Sequence, residues 1–125
     1  MTPTSRILLA LAALSGALAV VAGAFGAHGV PDPQGWLRTG AQYQMIHVLA
    51  VFAAVAAERW GAGRTARVAG WMFLAGGAIF GATLYAMALG APLWLGAVTP
   101  VGGVMLIIGW LLLARGVLGA GKTVA

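Results

Sequence analysis

The sequence predicts an all-α membrane protein, a four-transmembrane-helix bundle with both termini cytoplasmic. Composition is the first reason. Of the 125 residues, 62% are hydrophobic and only 7% are charged, whereas a soluble domain carries about a quarter charged residues. So few charges cannot cover the surface of a water-soluble globule. The second reason is segmentation: helix stops divide the chain into apolar stretches close to the roughly 20 residues that cross a bilayer. The third is charge placement. With four spans, Arg6, Arg59, Arg64, Arg67, Arg115 and Lys122 share one side and Arg38 stands alone on the other. Basic residues collect on the cytoplasmic side. The expected helices are about 7–27, 33–57, 68–89 and 100–118, in a single domain over residues 1–125.

The first span, Ile7 to Ala27, follows a short polar lead and contains no charge. A positive lead, an apolar run and Ala22-Gly23-Ala24 also fit a cleaved signal peptide. The run is longer than such a peptide needs, and Ser15, Ala19, Gly23 and Ala27 repeat every four residues. That small-residue register lets helices approach closely, so we read a retained helix. His28-Gly29-Val30-Pro31 is a stop, with Gly29 suited to a left-handed cap. Asp32-Pro33 restarts the chain, Asp32 as N-cap and Pro33 at the first helical position.

Glu58 to Arg67 holds four of the chain's nine charged residues and reads as a solvated turn that orients the protein. The third span carries Gly77 and Gly81 in a GxxxG pair, so helices one and three are expected to touch through Gly23, Gly77 and Gly81. An uncharged linker, Gly90 to Val98, leads to Thr99-Pro100 as cap and first turn of the fourth span. Gly102, Gly103 and Gly109 thin that helix, and Trp110 is suited to a membrane boundary or a neighbouring helix. The tail from Gly119 to Ala125 carries Lys122.

Polar residues inside apolar helices are costly and normally face other helices or a cavity. Tyr43, Gln44 and His47 lie three or four residues apart, on one side of a helix. His47 lies about 12 Å along the helix from Thr39 at 1.5 Å per residue, too deep for its short side chain to reach the headgroups. Thr83 and Tyr85 belong to the third span, and His28 ends the first. In the predicted topology all six gather in the outer half, where they form the candidate ligand-binding site. The chemistry they exclude is wider than the chemistry they suggest. Cysteine is absent and there are two histidines, too few for an ordinary zinc or iron set. No nucleophile motif is present, and no basic run is interleaved with aromatics, so nucleic acid is not an expected partner.

Four stretches together resemble a known family. They are Gly23-Ala24-Phe25-Gly26-Ala27-His28-Gly29, Tyr43-Gln44-Met45-Ile46-His47, Leu84-Tyr85 and Thr99-Pro100-Val101-Gly102-Gly103. In that order they resemble the YgdD-like family of small membrane proteins, a domain of unknown function that includes transmembrane protein 256 of animals. Ile46 stands where the family commonly has an aromatic, and Gly81-Ala82-Thr83 replaces a more usual Ser-Gly-Ser. The resemblance implies a multi-pass protein of the bacterial inner membrane, with no known enzyme activity, substrate or cofactor. The expected role is that of an interaction or accessory protein, packing against lipid, a larger membrane complex or further copies of itself. The alternative is a binder of a small amphipathic ligand, such as a quinone or lipid headgroup, in the outer-half polar site.

Overall fold

The computed structural model describes residues 1–121. Lys122, counted above among the orienting cations, lies outside the described residues. Helical elements run over Pro3–Ala24 (α1), Trp36–Ala57 (α2), Gly63–Ala88 (α3) and Thr99–Ala120 (α4). No extended loop separates α2 from α3. The turn at Glu58–Ala62 is wound more widely, closed by the Gly63 amide on the Glu58 carbonyl. The chain therefore has three helices long and apolar enough to cross a membrane among the described residues: Pro3–Gly29, Trp36–Ala88 and Leu93–Ala120. This corrects the expected four-transmembrane-helix bundle. The placement of both termini in the cytoplasm rested on four spans and is withdrawn with it.

A straight helix of 53 residues would extend about 80 Å. Instead the middle helix bends back at Gly61, where φ is 115°, a conformation that glycine adopts without a Cβ penalty. Its two arms, α2 and α3, lie side by side, with Gly77 against Gln44 and His47. The glycine-rich charged segment, read from sequence as a solvated turn, is a tight bend at Gly61 and Gly63, whose φ values of 115° and 62° are not helical.

Other boundaries shift for identifiable reasons. The first helix starts at Pro3, because the Thr2 hydroxyl accepts the Ser5 amide at 3.1 Å. Gly29 is not left-handed; the helix closes with the Val30 amide on the Phe25 carbonyl at 2.9 Å. Asp32 is not the N-cap of α2. Gly35, at φ 71°, holds that position, and the Asp32 carboxylate reaches past it to the amides of Leu37 and Arg38 at 3.1 and 3.2 Å. Thr99 lies inside α4, whose N-cap is Val98.

α3 and α4 approach each other backbone to backbone. Gly102, Gly109 and Gly116 recur every seven residues on α4, the period that keeps one seam facing a neighbouring helix. A Cβ on Gly102 would stand 2.6 Å from the Phe80 amide nitrogen and 2.7 Å from the Gly76 carbonyl oxygen. Gly109 receives the Phe73 ring and Gly116 meets Ala62. The expected contact of helices one and three through Gly23 and Gly81 is not what forms: Gly23 faces Ala41 of α2, and Gly81 faces Gln44 and Tyr85. Phe73, Leu8, Val51 and Ala54 fill the common core.

The two ends of the molecule differ in charge. At one end the Ser5 hydroxyl donates to Glu58 at 2.9 Å, and Arg67 pairs with the other Glu58 oxygen at 3.2 Å. Gly61 lies against Ala120 there, so the start of α1, the bend and the end of α4 share this end. Asp32 and Arg38, 3.6 Å apart, mark the opposite end.

Candidate functional site

The sequence placed six polar residues in one site. The structure distributes them over three separate contacts and leaves one residue out. The first contact joins three helical arms. Gln44, on α2, is 5% exposed; its amide nitrogen donates to Ser15 of α1 at 2.7 Å, and its amide oxygen accepts the Tyr85 hydroxyl of α3 at 2.5 Å. Gly40 makes room for this arrangement, since a Cβ there would stand 2.6 Å from the Tyr85 ring. Buried amides need such partners, because an unpaired polar group in an apolar interior costs several kcal/mol in the extreme.

The second contact joins α2 to α4. His47 Nε2 lies 3.0 Å from the Trp110 indole nitrogen, and Nδ1 lies 2.6 Å from the Tyr43 carbonyl oxygen. Indole N–H is only a donor and a carbonyl only an acceptor. The ring that satisfies both carries its proton on Nδ1 and accepts at Nε2; a doubly protonated ring would lose the Trp110 bond. Around it, Trp110 meets His47 edge-on at 5.8 Å and Phe73 at 4.7 Å. The Tyr43 ring, 44% exposed, lies parallel to the His47 ring with centroids 6.3 Å apart and tilted against Phe80 at 4.8 Å.

The third contact ties α3 to the start of α4. Thr83 and Thr99 hydroxyls lie 2.6 Å apart, so one donates to the other, and the accepting hydroxyl keeps its own proton for a carbonyl one turn back, that of Ile79 at 2.9 Å for Thr83 or of Leu95 at 3.2 Å for Thr99. His28 joins none of the three. It is exposed at the end of the first helix. Among the described residues no group of three His, Asp or Glu side chains converges, and no buried side-chain nitrogen or oxygen lacks a partner.

Three partners lie outside the six-residue site that the sequence suggests. Ser15 belongs to a stripe of small residues, and its hydroxyl is the available signal. Trp110 suits a boundary or a neighbouring helix, and Thr99, a cap by sequence, also counts among the polar groups expected in the outer half. Each is the far end of a bond whose near end was identified.

Two of these contacts border hollows in the surface. Between α1 and α3 lies a furrow of about 430 Å³ whose walls include Leu18, Phe25, Ala78 and Ala82, and whose polar lining is Gln44 and Tyr85. His47 and Tyr43 border a different hollow of about 380 Å³, beside Phe80 and Trp110.

Residues 22–103 match the model of a family described as "Protein of unknown function (DUF423)". The chain belongs to this family. It is similar to the UPF0382 inner membrane protein YgdD of Escherichia coli, 41% identical over 126 aligned residues that cover 90% of each chain. It is similar also to the UPF0382 membrane protein YwdK of Bacillus subtilis, at 39% identity over 86% of this chain and 93% of the relative. A UPF0382 membrane protein of Haemophilus influenzae is 40% identical over 86% of this chain and 90% of its own. No solved structure matches the chain. The resemblance drawn from the four motifs is thereby established, and the chain is a small membrane protein.

Proposed function

We propose that this chain is a non-enzymatic, multi-pass protein of the bacterial inner membrane that holds a small amphipathic molecule between α1 and α3. The carrying observation is the furrow there, apolar along its walls and polar only at Gln44 and Tyr85. Apolar walls with a few placed polar groups are the usual make-up of a ligand site. The Gln44 amide has two N–H donors, of which Ser15 accepts one. The second is available to a ligand carbonyl, and the Tyr85 oxygen retains acceptor capacity while it donates to Gln44. A quinone ring or the ester region of a lipid offers the matching groups beside an apolar tail. The inner-membrane placement is supported by the name of the Escherichia coli relative, an inner membrane protein, and by the three long apolar helices among the described residues.

A second reading, an accessory protein that packs against a larger membrane complex, has its own observation. Ile7, Leu11, Leu14 and Leu18 are all exposed on α1 at alternating steps of four and three, the spacing of a helix-packing seam. Purification in mild detergent, with mass spectrometry of bound lipids and proteins, separates the two. The expected result is a co-purifying amphiphile that is lost from Ala82→Phe, which fills the furrow from an exposed position, while thermal unfolding is unchanged. A stoichiometric protein partner without any bound amphiphile would reject the furrow reading in favour of the second.

A further inference from the structure

The charged end carries Arg6, Arg59, Arg64, Arg67 and Arg115 against the single carboxylate of Glu58, a net charge of +4 among the described residues. At the other end Arg38 and Asp32 cancel. Glu58 is already taken up by Arg67 and Ser5. Arg59 is exposed and makes no ion pair among the described residues. It stands at the mouth of a furrow of about 490 Å³ lined by Leu9 of α1, by Phe52, Val55 and Ala56 of α2, and by Trp60 of the bend. Along α2, Phe52, Val55 and Arg59 follow at three and four residues, so one stripe runs from an apolar wall to a cation. On α1, Arg6 is exposed one turn from Leu9, within side-chain reach of the furrow although it does not itself line it. Trp60, 82% exposed, stands beside Arg59 as an indole suited to headgroup depth.

From this arrangement we propose that the α1–α2 furrow binds an anionic phospholipid, its phosphate at Arg59 and Arg6 and one acyl chain along Leu9, Phe52 and Val55. The polarity of the site selects the occupant. A zwitterionic headgroup gains little from two cations that make no ion pair among the described residues, whereas a phosphodiester with net negative charge neutralises them. Basic pockets between membrane helices bind anionic headgroups for this reason. This furrow lies on the other side of α1 from the one lined by Gln44 and Tyr85 and does not depend on it.

The test is native mass spectrometry of the full chain in detergent, with dioleoyl phosphatidylglycerol and dioleoyl phosphatidylcholine offered in turn. Phosphatidylglycerol should be retained in preference, by about fivefold for each arginine engaged. Arg59→Gln should lower its binding by about fivefold, and Arg6→Gln with Arg59→Gln together by about 25-fold. Phe52→Trp, which narrows the furrow without altering charge, should also lose the lipid. Arg115→Gln, at the same end but away from the furrow, should bind as the unaltered protein does. Equal retention of the two lipids, or an equal loss in Arg115→Gln and Arg59→Gln, would overturn the proposal, the latter by reducing the effect to diffuse attraction.

Discussion

Replacing Gly102 by alanine should destabilise the protein by about 3 kcal/mol, the upper part of the range for overpacking a close contact. The added methyl would stand 2.6 Å from the Phe80 amide nitrogen and 2.7 Å from the Gly76 carbonyl oxygen. Both are backbone atoms of α3, so no rotamer change relieves the clash and the helices must move apart. That separation would also loosen the seams at Gly109 on Phe73 and Gly116 on Ala62. In a membrane the loss is not recovered by burying apolar surface elsewhere, because helix association there depends on packing and hydrogen bonds. The neighbouring glycine is the control. A Cβ on Gly103 meets nothing within 4 Å, so Gly103→Ala should be neutral or stabilising by roughly 0.5–1 kcal/mol through backbone entropy. The measurement is unfolding of both variants in the same detergent. Equal midpoints would show that α3 and α4 do not meet at Gly102.

How far the architecture could be read from the chain depends on which force shapes each part. Apolar length and helix stops depend on local residues, and they place the helical arms within a few positions. The bend at Gly61 was legible only as a place where something happens. Its form depends on a wide turn around two positive-φ glycines, Gly61 and Gly63, and neither glycine spacing nor the charges at Glu58 and Arg64 reports that. Helix neighbours were harder still. In a soluble helix the polar face points away from the core, but on α1 and α4 nearly every face is apolar, so periodicity carries little information about contacts. Gly23 and Gly81 therefore suggested a pairing of helices one and three that the fold does not use, while the seven-residue repeat of Gly102, Gly109 and Gly116 held the better signal. Isolated polar residues were the most informative, since each must find a partner. They marked Gln44, His47, Thr83 and Tyr85 as inward-facing. They did not show that only Gln44 and Tyr85 bond each other, while His47 and Thr83 reach separately to Trp110 and Thr99 of α4.

The double replacement of His47 and Trp110 should reveal a coupling energy of about 1 kcal/mol, within the range measured for hydrogen bonds between membrane helices. His47 is 6% exposed and accepts the Trp110 indole proton at 3.0 Å, a bond that reaches from α2 to α4. Trp110→Phe keeps an aromatic body against Phe73 but leaves His47 Nε2 without its donor. His47→Leu removes the acceptor and leaves the indole proton facing an apolar chain. Each single change therefore loses the same bond and orphans a different group, so the two losses overlap and the pair together should cost less than their sum. His47→Gln is the third arm. Its amide oxygen is a possible acceptor for the indole, so it should recover part of the stability that His47→Leu loses. Unfolding in detergent measures all four proteins. Strictly additive losses, or a stabilised His47→Leu, would mean that the histidine ring does not hold α4 in place and that the α2–α4 contact rests on the aromatic packing of Phe73 and Trp110 alone.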